Sequence, residues 1–365
     1  MPKQKSRPQP KTQPAPTGPR YLCEAEVVTG LKDYATAELL SRFGSSVHPQ
    51  DKAKPEEIPF YFDGSLSDLG DLTKTAAVYL VQHYPIPRPQ ALLGHQHFTQ
   101  LIKLINTVRS MHPAGTFRTF RIAAAGSQSS VFQRIKDEIA STTGLTVNED
   151  EADLMLRVRK ADIYRDGWEV LLRLTPRPLA ARAWRVCNME GALNATIASA
   201  MIEMTDPRPD DRVFNLMCGS GTLLVERLRR APADVIGGCD SDAIALRCAT
   251  DNLVAAGYGK AVDLFEMDIA DLPLPDACID MICADLPWGQ LVGSHESNLT
   301  LYPKALREAA RIAAPGARAV FITHEIRLME RVLRDYADLW TVQQEVKVFQ
   351  GGLHPRIYLL SKQAT

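Results

Sequence analysis

The spacing of hydrophobic and polar positions divides this chain into three patterned stretches. In the first, "YLCEAEVV" (21–28) predicts a strand and "LKDYATAELLSRFG" (31–44) a helix that stops at Gly44. "IPFYFDG" reads as a second strand, while "SLSDLGDLTKTAAVYLVQHY" (65–84) and "HFTQLIKLINTVRSM" (97–111) read as helices. A second stretch opens near Thr116 with the strand "TFRTFRIAAAG" and the amphipathic helix "SSVFQRIKDEIASTTG", closed by Gly144. Two further strands are expected in "LTVNEDEADLMLRVRKAD" and "GWEVLLRLT", followed by the loop "PRPLAARAWRV". These stretches describe small α+β units.

The third stretch, from about residue 190, alternates cleanly. "RVFNLMC", "DVIGGCD", "VDLFEMD", "IDMICAD" and "GARAVFITHE" are strand-like. Helical patterns separate most of them, and "TVQQEVKVFQ" and "RIYLLSK" close the series. Buried strands alternating with helices predict a doubly wound, mostly parallel α/β sheet. Ligands of such sheets bind beyond the carboxyl ends of the strands.

Composition adds two constraints. The 365 residues, 45% hydrophobic and 23% charged, suit a globular protein of two or three domains, and no run is apolar enough to span a membrane. Residues 1–20 hold six prolines, five basic side chains and no acid, and are read as a disordered basic tail. Seven cysteines are scattered without a metal-binding spacing, which predicts free thiols in a reducing cytoplasm, and His95 and His97 lack a third ligand nearby, so no metal is expected. Net charge is −1 overall, yet residues 101–185 carry 14 basic against 9 acidic side chains and residues 186–365 carry 17 against 24. That asymmetry predicts a polyanion-facing module joined to one with different work.

Candidate chemistry sits at four strand ends. In "NLMCGSGTLLVE" (215–226), Gly219 and Gly221 flank Ser220 at a strand-to-helix turn, where a bare backbone and the helix amino terminus can approach a ligand. Leu224 stands where a dinucleotide fingerprint needs its last glycine, so a dinucleotide is disfavoured. Asp240 ends the next strand and either caps the following helix or accepts both hydrogens of a ribose diol; its spacing from the glycine turn favours the ribose. Asp268 could accept from an adenine amino group, with Ile269 covering the ring, or act as a cap. The fourth end is "CADLPWGQ". Asp285 and the Leu286 carbonyl supply two acceptors, Pro287 stiffens the turn and Trp288 offers a flat face. Two acceptors beside an aromatic plate suit an exocyclic NH2: accepting its hydrogens aims the nitrogen lone pair and stabilises the positive charge that grows during attack.

Taken together, "NLMCGSGT", Asp240, Asp268 and "DLPW" resemble motifs I to IV of class I S-adenosylmethionine-dependent methyltransferases that modify exocyclic amines. "RPLAARAWRVCNMEGALNATIASAMI" is similar to the junction and first helix of THUMP-domain RNA methyltransferases. The resemblance implies a Rossmann-like methyltransferase domain (190–365), joined by a linker (181–189) to a THUMP domain (91–180) and a ferredoxin-like α+β domain (21–90). Within this family the D-L-P-W form looks most like the tRNA guanine-N2 methyltransferases, of the type acting at position 6 of the acceptor stem. Two residues depart from the family pattern: Asn215 stands in place of an aspartate and Leu286 in place of a proline.

The resemblance implies that S-adenosylmethionine is held by Asn215, Cys218, Gly219, Ser220, Gly221, Thr222, Asp240, Asp268, Ile269 and Asp285. It further implies that Asp285 and Leu286 grip the guanine amine while Trp288 stacks on the base, with Pro287 shaping the turn. Arg118, Arg121, Arg157, Arg159, Lys160, Arg182 and Arg185 are candidates to meet tRNA phosphates as a cluster on one face. The expected protein is a monomeric cytoplasmic enzyme with tRNA as its partner. An rRNA guanine-N2 or adenine-N6 target stays open, because each such amine presents the same two hydrogens, as does a non-catalytic RNA-binding protein on a methyltransferase-like fold.

Overall fold

The computed structural model describes residues 19–50, 54–161, 166–270, 272–289 and 293–363. Nearly all of the basic tail expected at residues 1–20 lies outside them. Two sheets organise the chain.

The first has eight strands in the order β2-β3-β1-β4-β8-β7-β5-β6. These are β1 (Tyr21–Glu26), β2 (Val47–Pro49), β3 (Glu57–Phe62), β4 (Ala77–Tyr84), β5 (Thr119–Ala124), β6 (Thr146–Val147), β7 (Leu154–Lys160) and β8 (Trp168–Arg173). Helices α1 (Lys32–Phe43), α2 (His95–Ser110) and α3 (Ser130–Thr143) pack on one face. Strand alternation sorts the two faces: Cys23 and Ala25 enter the core beneath the helices, whereas Leu22, Glu24 and Glu26 look the other way. The antiparallel pairing of β4 with β8 makes the sheet continuous across residue 90.

One sequence expectation fails here. Residues 65–84 do not form a helix: a short 3-10 turn spans Leu66–Asp71, and Ala77–Tyr84 is strand β4. Five consecutive residues of β4 are buried, because it is a central strand covered on both faces. Without a period-two signature, its apolar run is indistinguishable by pattern from a buried helix.

The second sheet has seven strands in the order β11-β10-β9-β12-β13-β15-β14. Its elements are α4 (Ala195–Met204), β9 (Arg212–Asn215), α5 (Thr222–Arg230), β10 (Val235–Asp240), α6 (Ala243–Ala255), β11 (Asp263–Glu266) and β12 (Ile279–Asp285). They continue with α7 (His295–Ile312), β13 (Ala313–Thr323), α8 (Ile326–Asp335), β14 (Trp340–Lys347) and β15 (Arg356–Lys362). All pairings are parallel except those of β15, which runs antiparallel to β13 and β14. Val213, Met281 and Cys283 point into the core under α4 and α5, while Phe214, Ile282 and Ala284 point into that under α7 and α8. A strand that is apolar on both sides must be covered on both sides, and the three-layer arrangement does so.

The two halves are locked by buried polar contacts. Within the first half, the Glu38 carboxylate on α1 fixes the segment that makes these contacts, accepting from the backbone N–H groups of Thr73 and Lys74 at 2.8 and 2.9 Å. Ser199 on α4 donates to Thr73 Oγ1 at 2.9 Å, and Lys74 pairs with Glu203 at 3.1 Å. Arg182, in the connecting segment, is buried against Glu226 of α5 at 2.9 Å. The expectation of free cysteines throughout is also corrected: Cys187 and Cys248 are disulfide-bonded, with Cα atoms 5.4 Å apart. They are 61 residues apart in sequence, so only the fold brings them together.

Candidate active site

The carboxyl ends of β9, β10 and β12 gather most of the singled-out residues at one edge. After β9 the chain enters a turn held in left-handed conformations, with φ of +49° at Met217, +52° at Gly219 and +75° at Gly221. Gly221 is needed for room as well as for φ, since a Cβ there would sit 3.2 Å from the Ala249 Cβ on α6. Helix α5 begins at Thr222 with no side-chain cap, so its first N–H groups face outward unclaimed by a capping side chain. Cys218 and Ser220 are buried beneath the turn, and burial pushes the Cys218 thiol up, which makes it a space-filler and not a nucleophile.

Asp240 buttresses this turn. Its Oδ2 accepts from the Gly219 N–H at 2.8 Å and its Oδ1 from the Asp242 N–H at 3.0 Å, which leaves each oxygen a further lone pair toward the edge. Asp242, not Asp240, caps α6 by accepting from Ile244 N–H. Asp268 is exposed and closes a local turn by accepting from Ala270 N–H at 2.9 Å; Ile269 is buried in the core under α7.

Asn215 answers the question of whether this turn suits a cofactor. The residue is 1% exposed, and its amide nitrogen donates to the carbonyls of Leu216 and Cys283 at 3.1 and 2.9 Å. Its Oδ1 is buried with no partner among the described residues. A buried acceptor left alone costs about 1–3 kcal/mol, which a donor such as an ammonium group would relieve. That orphan oxygen and the bare glycine backbone fit the methionine end of S-adenosylmethionine.

At the end of β12, Asp285 lies half-buried and accepts from the Trp288 indole N–H at 3.0 Å. Burial pushes its carboxyl up to about 7, and the indole hydrogen bond draws it partly back. Leu286 is fully buried, and its N–H donates to the Ile322 carbonyl of β13 at 3.0 Å. The Pro287 carbonyl accepts from Asn298 at 2.9 Å and from the Tyr302 hydroxyl at 2.6 Å. Tyr302 also lies 2.6 Å from Thr323 Oγ1, and the Trp288 ring lies 6.3 Å from that of His324. Asn298 and Tyr302 on α7 and Thr323 at the end of β13 therefore hold the D-L-P-W turn, and sequence reading missed all three. In sequence Tyr302 is one more apolar position on an amphipathic helix, and only the contact reveals its hydroxyl's task.

The seven cations expected to cluster do not share one open face. Arg182 is buried, and its donors go to Glu226 and to the carbonyls of Thr73, Leu179 and Ala195. Arg159 is surrounded by Glu24, Glu57 and Glu169, and Arg157 pairs with Glu26 at 2.8 Å while lying over the Tyr79 ring. Arg185 donates to the Leu193 carbonyl and to Thr222 Oγ1, both at 2.8 Å, which makes it a brace of the glycine turn. Arg121 reaches the Met155 sulfur and the carbonyls of Glu149 and Asp150. Arg118 and Lys160 remain exposed on the first sheet.

The strand order, with one antiparallel strand inserted beside the last parallel one, and the glycine turn opposite a strand-end acid define a class I methyltransferase fold. Residues 182–356 match the family described as RMKL-like methyltransferase domain (UPF0020). The mouse tRNA (guanine(6)-N(2))-methyltransferase THUMP3 is 31% identical over 184 residues, 47% of this chain and 36% of the relative. The chain thus spans about a third of that longer protein. The tRNA (guanine(6)-N2)-methyltransferase of Thermus thermophilus is 28% identical over 233 residues, covering 64% of this chain and 67% of the relative. In fold, the crystal structure of TrmN from Thermus thermophilus superposes with a TM-score of 0.71 at 22% identity, over 93% of this chain and 99% of that one. SMU.472, a putative methyltransferase complexed with SAH, gives 0.67 over 95% of this chain and 99% of that one, at 15% identity. Among the described residues no helix is long and apolar enough to cross a membrane, and no group of His, Cys, Asp and Glu is arranged to hold a metal ion.

Proposed function

We propose that the protein methylates the exocyclic N2 amine of a guanosine in tRNA, with S-adenosylmethionine as donor. The observation that carries this reading is the half-buried Asp285 carboxylate, beside the Leu286 carbonyl, at the strand edge it shares with the glycine turn. The relatives named as guanine-N2 methyltransferases of tRNA support the choice of base and RNA, and the guanine(6) in their names supports position 6, which we place in the acceptor stem.

The donor supplies an electrophilic methyl group. Asn215 Oδ1, the backbone of residues 218–222 and Asp240 would hold its methionine and ribose portions, with Asp268 and Ile269 at the adenine. Asp285 and the Leu286 carbonyl each accept one amine hydrogen, which turns the nitrogen lone pair away from both and toward the glycine turn. As charge grows on nitrogen, the carboxylate stabilises it, and with a value of about 7 Asp285 is suited to receive the released proton. Trp288 stacks on the base, its indole N–H steadying Asp285. The N2 amine lies on a pairing edge, so a paired target has to leave its helix at a cost of a few kcal/mol. Residues 91–180 serve as the THUMP-type RNA unit, 21–90 as the ferredoxin-like unit before it, and the protein acts as a monomer.

The test incubates the protein with labelled S-adenosylmethionine and unmodified tRNA, then resolves the nucleosides. Label in N2-methylguanosine is expected. Label in an adenine or cytosine nucleoside, or acceptance of rRNA but not tRNA, refutes the reading.

A further inference from the structure

The hairpin joining β14 to β15 is unused by the site described above. Its root is fixed: Val348 is 1% exposed and donates to the Pro355 carbonyl at 3.0 Å. Its tip is closed by reciprocal bonds between Gln350 and Leu353 at 3.0 and 2.9 Å, around Gly351 and Gly352 with φ of +59° and +82°. Two consecutive positive φ values make the tight turn that matches strand twist, so the tip is preorganised. Between root and tip sit Phe349 and His354, whose rings are 5.3 Å apart. Both are exposed, Phe349 by 45%.

The hairpin stands at the same edge as the methyl-transfer site. Arg356 at the start of β15 pairs with Thr323 at the end of β13, and Ile322 of β13 pairs with Asp285. Two strand spacings, about 10 Å, therefore separate its root from the acid. It is also tied to the cofactor turn, since Gln350 Oε1 accepts from Asn194 N–H at 3.0 Å, and Arg185 bridges the adjacent Leu193 carbonyl to Thr222. Arg327, in the first turn of α8, and Lys347, the last residue of β14, are exposed at this edge, and neither is ion-paired among the described residues.

We infer that the Phe349–His354 hairpin is a second stacking platform, which takes a base of the RNA strand next to the target nucleotide while Arg327 and Lys347 meet its phosphates. This rests on the RNA substrate proposed above. A rigid aromatic step flanked by unpaired cations is the chemistry by which proteins hold unstacked bases without reading their sequence. The pair would otherwise serve only as a cross-strand contact that stabilises the hairpin, a role that affects melting and not RNA.

Phe349→Ala, Phe349→Trp and wild type are compared with an unmodified tRNA transcript, measuring KM for RNA, kcat, S-adenosylmethionine affinity and melting temperature. The expected result for Phe349→Ala is a rise in KM of about tenfold, with cofactor affinity and kcat held and with Trp restoring KM. A KM within twofold of wild type, with only the melting temperature changed, overturns the inference. The indole of Phe349→Trp supplies a separate readout, because stacking on RNA quenches its fluorescence. If wild type transfers no methyl to tRNA, the substrate reading falls, while the hairpin's role is still decided by that titration: quenching supports it and an unchanged signal overturns it.

Discussion

Replacing Trp288 by Phe keeps a ring beside the cleft and removes one hydrogen bond, the indole N–H to Asp285 at 3.0 Å. A hydrogen bond to a charged group contributes about 1.5–3 kcal/mol, and 1.36 kcal/mol corresponds to one pKa unit, so its loss raises the Asp285 value by about one to two units. The starting value is about 7, because burial outweighs the indole. In the variant it becomes roughly 8 to 9, and the ionised fraction at pH 7 falls from about half to between 1 and 10%. A carboxylic acid cannot accept both an amine hydrogen and the proton released later, so kcat/KM at pH 7 drops about 5- to 50-fold. Any weaker stacking of the smaller ring lowers the rate equally at every pH. The assay is a pH–rate profile of both proteins from pH 6 to 9.5 with saturating methyl donor. The reasoning predicts a deficit that narrows toward alkaline pH, with the acidic limb displaced upward. A deficit of the same size at pH 7 and pH 9, or profiles that superimpose, would refute it.

Asp285→Asn should lose methyl transfer yet gain stability. The folded value lies above the ordinary 3.8, so between about pH 4 and 7 the folded state retains a proton that the unfolded state has released, and wild-type stability falls as pH rises through that window. The variant's advantage is therefore near zero below pH 4 and reaches roughly 1–3 kcal/mol above pH 7, as urea unfolding at several pH values will show; a gain at pH 4 as large as that at pH 8 contradicts it. Glu226→Ala leaves Arg182 buried without its carboxylate and should cost about 3–5 kcal/mol, read as a lowered denaturation midpoint. Tyr302→Phe removes the hydroxyl shared by the Pro287 carbonyl and Thr323; the expected loss is about 1–3 kcal/mol with cofactor affinity unchanged by calorimetry.

The parts of this architecture that were legible in sequence are those encoded locally. Alternation of buried strands and helices announced the second sheet, and the ends of its strands directed attention to Gly219, Asp240 and Asp285, which the fold places along one edge. Strand β4 was misread because a strand buried on both faces has no period of its own. The arginines of β7 were misjudged for another reason. Counting charges says nothing of partners, and the carboxylates that hold Arg157 and Arg159 include Glu26 and Glu24 of β1, more than 130 residues earlier. Asn298, Tyr302 and Thr323 left no trace because their bonds to the D-L-P-W turn join separate elements. The link between Cys187 and Cys248 was invisible for the same reason.

From Met281 onward, strand β12 sends its side chains alternately to two interiors, Met281 and Cys283 to one, Ile282 and Ala284 to the other, before it releases Asp285. Adding or deleting one residue within 281–284 would exchange the interiors of the residues on one side of the change and swing the carboxylate to the opposite side of the sheet. Substitutions can tune this strand, but its length is frozen, so descendants of the protein can explore new chemistry here by changing letters and never by changing spacing.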